Sequence, residues 1–232
     1  SKSDRAVVAV TASDKADFAG HYSSSNGTFR VSFKSDDSLL VEELREDWTA
    51  KYEDFRFRDD GWYAADGDPH TALRFLTADG RRYLALRLKR GAGHYTVSLL
   101  WGQKLEERAA VGGAWTSRLA ERWLPANTDT RNLVMSKSDP GLRLQTVPGL
   151  TGYLKGNNLL RDADQSASRL DGMFLVAPDG VRDLQDVAVE RRGDEDWLRA
   201  GTYLYRPLSG VPTLSAGTTR LTLGAEGFAE WR

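Results

Sequence analysis

Short runs of alternating apolar and polar residues, separated by glycine-containing turns, constrain the fold of this 232-residue chain more than any other feature. In residues 29–33 and 84–88, every second side chain is large and apolar. A period of two places these side chains on one face of a β-strand. Turn dipeptides occur between such runs, at Asn26-Gly27, Asp79-Gly80, Asp179-Gly180 and Glu226-Gly227. The pattern predicts an all-β protein whose sheets cover a core on one face.

The chain also repeats itself at a spacing of about 100 residues, which is typical of two copies of one unit. Lys34-Ser35-Asp36 recurs as Lys137-Ser138-Asp139, and Asp79-Gly80 recurs as Asp179-Gly180. We therefore expect two tandem antiparallel β-barrels of about eight strands each, formed by residues 1–112 and 113–232. Two unrelated β domains with similar turns are the alternative.

Each predicted unit opens with a short helix. The helices are expected over Asp14–Ala19 and Trp115–Trp123, with Ser13 and Thr116 as their caps. Tyr22 and Trp123 then occupy matching places near the first strand of each unit. We expect both aromatic side chains to be largely buried at one end of a barrel.

Composition argues against several classes of function. The formal net charge is −1, so there is no basic excess to favour a nucleic-acid partner. No apolar run approaches the ~20 residues of a membrane-spanning helix. Cysteine is absent, which excludes disulfides, thiol nucleophiles and cysteine-ligated metals. These features are compatible with either side of a membrane, so the sequence leaves the localisation undetermined.

Catalytic motifs are also missing from the sequence. It has no Ser-x-x-Lys, no Gly-x-Ser-x-Gly and no His-Glu-x-x-His, and its three histidines lack metal-ligand spacing. The acidic run Asp194-Glu195-Asp196 is interpreted as a solvated hairpin tip. We therefore predict no catalytic residue, no metal site and no cofactor, and expect this chain not to be an enzyme by itself.

The segment Phe18-Ala19-Gly20-His21-Tyr22, followed by a turn and an alternating strand, resembles the opening of a known barrel. This barrel is the lipocalin-like C-terminal domain of serine hydrolases of the class C β-lactamase and penicillin-binding-protein type. Arg182-Asp183-Leu184 and the closing segment Leu221–Trp231 resemble the ends of such hydrolases. Their D-aminopeptidase branch carries two such barrels in series. The second copy departs from the pattern, since Glu121 replaces the glycine before Trp123.

The resemblance implies that the chain is a non-catalytic accessory region of a serine hydrolase or peptidase. Its implied partner is a catalytic domain of the same polypeptide, and assembly into a homodimer is a second option. The composition, not the resemblance, predicts that there is no nucleic-acid partner and no membrane span. The barrels would gate substrate access or support assembly. The alternative is a lipocalin-like protein that binds a small apolar ligand in a barrel mouth. The candidate pocket residues are Trp48, Trp62, Tyr63 and Trp101.

A glycine- and asparagine-rich stretch between Gly149 and Gln165 marks where the second copy differs most from the first. Turn-forming residues at this density predict a protruding hairpin or loop. Its tip would contact a catalytic domain or a second subunit. The candidate contact residues are Tyr153, Leu154, Lys155, Asn157 and Asn158.

Overall fold

The chain forms two closed antiparallel β-barrels of eight strands each in a computed structural model. The structure describes residues 5–24, 27–68, 70–90, 95–106, 108–126, 142–156, 159–163, 172–175, 187–200 and 203–211. The prediction of an all-β protein with two antiparallel barrels is confirmed.

A short helix, α1 (Ala12–Phe18), precedes the first barrel in the chain. Each strand pairs with the next along the chain, and the last strand pairs with the first. The strands are β1 (Gly20–Ser24), β2 (Gly27–Phe33), β3 (Leu39–Leu44), β4 (Trp48–Phe57), β5 (Tyr63–Ala64), β6 (Thr71–Ala78), β7 (Arg81–Arg90) and β8 (Tyr95–Lys104).

The second barrel has the same order, beginning with α2 (Gly113–Leu119). Its first strand, β9, pairs with both the second and the last strand of the barrel. The strands are β9 (Arg122–Pro125), β10 (Leu142–Val147), β11 (Leu150–Gly156), β12 (Leu159–Ala163), β13 (Gly172–Leu175), β14 (Val187–Arg192), β15 (Glu195–Ala200) and β16 (Tyr203–Pro207). A 3₁₀ turn, η1 (Leu208–Gly210), follows.

Both helices are present, but each begins earlier than predicted. Thr11 caps α1, because its hydroxyl accepts a hydrogen bond from the Asp14 amide at 3.0 Å, so Ser13 lies inside the helix. Gly112 is the N-cap of α2 and makes no side-chain cap bond, so the assignment of Thr116 was also wrong. The predicted division at residues 112 and 113 coincides with this helix start, and as a domain boundary it stays a prediction.

The two barrels correspond strand by strand, but the sequence matches align them incorrectly. Leu39 begins the third strand of its barrel, whereas Leu142 begins the second, so the strands that follow the two motifs in the sequence are not equivalent. Lys137-Ser138-Asp139 itself lies outside the described residues. Asp79-Gly80 joins the sixth and seventh strands, and Gly193 occupies that turn in the second barrel. Asp179-Gly180 lies outside the described residues, between the fifth and sixth strands. Turn composition recurs for local conformational reasons and does not fix strand equivalence.

Stacked aromatic rings fill the first barrel. The rings of Phe29 and Trp101 lie 3.7 Å apart, and Phe75 packs against both Tyr22 and Tyr63. The second barrel has its own buried cluster, which includes Trp115, Trp123, Leu142, Leu144, Leu154 and Leu198. Tyr22 and Trp123 are both buried, as predicted.

Candidate functional site

A third apolar cluster joins the two barrels, and we call it the seam. Its buried members are Val147 and Tyr153, which come from the first hairpin of the second barrel. The side chains packed against them are Leu44, Trp48, Leu105 and Leu150. Because the cluster draws on both barrels, separating them would return this apolar surface to water.

Two hydrogen bonds cross the seam. The indole Nε1 of Trp48 donates to the carbonyl oxygen of Pro148 at 2.9 Å, which links β4 to the turn between β10 and β11. The hydroxyl of Tyr153 donates to the carbonyl oxygen of Glu106 at 2.8 Å, which ties β11 to the segment leaving the first barrel. Each bond satisfies a polar atom at the rim of an apolar contact, so the seam favours one relative arrangement.

A glycine allows the connecting segment to lie directly on the second barrel. Gly152 has φ +80°, a conformation that disfavours side chains, and it is buried beneath Arg108 and Ala109. A Cβ atom at Gly152 would collide with the Cβ atom of Arg108 and the carbonyl oxygen of Ala109. This position therefore requires glycine for both its backbone angle and its contact.

The surroundings of Trp48 extend the seam into a polar cluster of the first barrel. The guanidinium of Arg30 lies 4.9 Å from the centre of the Trp48 ring and forms a bidentate ion pair with Glu42 at 2.6 and 2.7 Å. His21 lies 5.4 Å from the Trp48 ring. Burial, and secondly the charge of Arg30, lower the pKa of His21, and Glu42 partly opposes this effect.

A cleft of about 310 Å³ opens beside the seam. Leu44 and Glu46 line it from the first barrel, while Arg143, Pro148 and Lys155 line it from the second. Burial lowers the pKa of the Lys155 ammonium group, and the carboxylate of Glu46 partly restores it. The cleft thus has a mixed polar and apolar lining, and the ammonium group of Lys155 is partly shielded from water within it.

A separate ion-pair network lies at the α2 end of the second barrel. Asp196 accepts from Arg191 at 3.0 Å and from Arg118 at 2.9 Å, and Glu195 pairs with Arg206 at 3.0 Å. The hydrogen bonds of Arg191 and Arg118 lower the pKa of Asp196 despite partial burial. The run lies at a hairpin tip as predicted, because β14 and β15 meet at the turn formed by Gly193 and Asp194. Glu195 and Asp196 are nevertheless only partly exposed, and both carboxylates are paired with arginines.

The four predicted pocket residues do not line a common pocket. Trp48 belongs to the seam, and Trp62 lies beneath Arg87, whose guanidinium is 4.3 Å from its ring. Tyr63 and Trp101 are buried in the barrel core against other aromatic rings. The sequence identifies these residues as aromatic but does not show on which side of the barrel wall each one lies.

The predicted contact loop is a strand in the part of the chain that the structure describes. Tyr153 and Leu154 are 2% and 0% exposed, because Tyr153 packs in the seam and Leu154 packs in the core of the second barrel. Lys155 is half-buried in the cleft. The expected exposed tip was therefore wrong for these three residues, while Asn157 and Asn158 lie outside the described residues.

The structure thus brings Trp48 together with Tyr153 and places Lys155 in the cleft beside them, although the sequence assigned Trp48 to a different site. Comparison with protein-family models, curated proteins and solved structures found no match for this chain. In the described ranges, no helix has the length and apolar character needed to cross a membrane. The same residues contain no group of three or more side chains placed to hold a metal ion.

Proposed function

We propose that this chain is the non-catalytic accessory region of a serine hydrolase or peptidase related to class C β-lactamases and penicillin-binding proteins. The two barrels would form a scaffold that holds a catalytic domain of the same polypeptide and restricts access to its cleft. The observation that carries this proposal is the seam, because it fastens two internally packed barrels together. The relation to these hydrolases depends on the sequence resemblance around Phe18–Tyr22.

The seam supports a positioning role because its contacts are directional. An apolar cluster alone tolerates sliding, whereas the Trp48–Pro148 and Tyr153–Glu106 hydrogen bonds each fix a distance between named atoms. Gly152 adds a close backbone contact with the connecting segment. A scaffold that positions a neighbouring domain requires this kind of fixed arrangement, since small displacements of reacting groups reduce rates strongly.

The packing of the first barrel argues against the alternative of an apolar ligand in its interior. The stacked rings of Phe29 and Trp101 occupy the space that such a ligand would need, and Tyr52 lies 5.5 Å from the Trp101 ring. An incoming ligand would have to displace these side chains and replace their contacts. Binding a hydrophobic fluorescent probe inside the barrel would therefore contradict the scaffold proposal.

The first test is the reading frame upstream of Ser1. A Ser-x-x-Lys motif within a helical domain encoded there supports the proposal, and an unrelated upstream sequence contradicts it. The second test is an assay of the isolated chain with a β-lactam, a D-amino-acid amide and a simple ester. We expect no turnover of any of them. Turnover that disappears on replacing a single serine would identify the chain as an enzyme.

The gating part of the proposal is tested in the full-length protein. Trp48→Ala loosens the seam, while Trp62→Ala removes a tryptophan of the first barrel that stacks on Arg87 and is the matched control. We expect Trp48→Ala to change the ratio of kcat/KM values for large and small substrates, and Trp62→Ala to leave that ratio unchanged. Equal effects of both variants would remove the claim that the seam positions the catalytic domain.

A further inference from the structure

The hairpin of β7 and β8 extends beyond the closed part of the first barrel. β8 pairs with β7 from Tyr95 to Gln103, but it pairs with β1 only at Gln103 and Lys104. Within the described ranges, the opposite edge of residues 95–100 has no strand beside it. At the usual rise of a strand, this edge is about 20 Å long.

This edge lacks the features that normally keep a sheet edge from pairing. Proteins protect such edges with charged residues, proline or bulges, but residues 95–103 contain no charge and no proline. The bulge of β8 lies further along, between the pairs Leu84–Gly102 and Ala85–Leu100. The stretch from Tyr95 to Leu99 is therefore regular and open to hydrogen bonding.

Three of the six side chains along the edge are large, apolar and exposed. Tyr95 is 67% exposed, Val97 is 44% exposed and Leu100 is 47% exposed. In the part of the chain that the structure describes, the only other large apolar side chains in the exposed class are Val7, Val8 and Leu208. Apolar exposure concentrated on an open strand edge marks an interaction surface.

We propose that β8 pairs with β8 of a second copy of this chain, in an antiparallel arrangement with its two-fold axis at Val97. Chemical self-complementarity favours a second copy as the occupant. Like charges directly opposite each other in a sheet are destabilising. Because this strand carries no charge, two copies of it can pair without that cost. A two-fold axis also gives the closed symmetry of most homodimers.

The axis at Val97 follows from the side-chain pattern. Centred there, Val97 faces Val97 of the second copy, Tyr95 faces Leu99, and Thr96 faces Ser98. Apolar side chains thus oppose apolar ones on one face, and hydroxyls oppose each other on the other face. An axis at Ser98 would instead place Thr96 opposite Leu100 and would bring the pairing up to the bulge.

Such a contact is small, so we expect a weak and concentration-dependent dimer. Sedimentation equilibrium of the intact chain should show the average mass rising from 25.8 kDa towards twice that value as concentration increases. Val97→Lys places two like charges across the axis and should abolish this rise. Thr49→Lys, on an exposed position of β4, makes the same charge change and should leave the rise unchanged.

The absence of cysteine allows a direct test of the axis. Only the residue on the axis faces its own copy, so Val97→Cys should form a disulfide-linked dimer under mild oxidation, and Thr49→Cys should remain monomeric. Equal crosslinking of both variants, or a monomer at every concentration, would overturn the proposal. A dimer that survives Val97→Lys would also overturn it, because another surface would then be responsible.

Discussion

The seam makes a quantitative prediction about how the two barrels unfold. In Trp48→Ala, the hydrogen bond to Pro148 is lost, at a cost of about 0.5–1.5 kcal/mol. The stacking of Arg30 on the indole ring is also lost, at about 0.5–1 kcal/mol for a partly exposed pair. The half-buried ring contributes roughly another 1 kcal/mol of apolar burial. The expected total is about 2–3.5 kcal/mol, of which the hydrogen bond to Pro148 and part of the ring burial act between the barrels.

Denaturant unfolding followed by circular dichroism measures this coupling. We expect the natural chain to unfold in one transition, or in two that overlap, and Trp48→Ala to separate the transitions of the two barrels. The control Trp62→Ala should destabilise the first barrel without changing the midpoint of the second. If Trp48→Ala also leaves the second midpoint unchanged, the seam carries no coupling energy and the argument for a fixed scaffold fails.

Three further predictions concern single side chains. Trp123→Ala should cost about 3–5 kcal/mol in urea unfolding, whereas Leu208→Ala on the surface should stay within about 0.5 kcal/mol. Lys155→Met should raise Tm at neutral pH, because methionine avoids the cost of burying the ammonium group. With the pKa of His21 lowered from 6.5 in the fold, the unfolded chain binds more protons below about pH 6.5. Stability should therefore fall as the pH is lowered through about 6.5 towards the lower pKa of His21 in the folded chain, and His21→Gln should reduce that fall.

Sequence reasoning predicted that the chain is built from β-strands, but it did not predict which strands of the two barrels are equivalent. Alternating residues such as Leu84 and Leu86 identify strands because burial on one face leaves a period of two in the sequence. No comparable pattern in the sequence shows the position that a strand takes within a barrel. The same tripeptide therefore occurs at Lys34-Ser35-Asp36 and at Lys137-Ser138-Asp139, although the strands that follow it in the sequence are not equivalent.

The seam could not be predicted from sequence for a related reason. Trp48 and Tyr153 each carry an apolar ring and one hydrogen-bond donor, so either residue suits a pocket, a core or an interface. Their donors are satisfied by the backbone carbonyls of Pro148 and Glu106, which any residue type supplies. Among these residues, only Gly152 could have indicated the contact from the sequence, because a glycine inside a strand often marks a close approach of another backbone segment. The sequence interpretation took that glycine as part of a flexible loop.

Charged side-chain pairs of both barrels lie outside the apolar cores. In the first barrel, the largest buried side chains are aromatic or aliphatic and pack against each other. The charged pairs of the seam and the α2 end lie outside these cores, where Arg30 meets Glu42 and Arg118 meets Asp196. Surface groups of this kind discriminate between partners more than they add stability. Under the scaffold and edge-pairing proposals, changes at the seam and at the open edge should therefore alter assembly before they alter the fold.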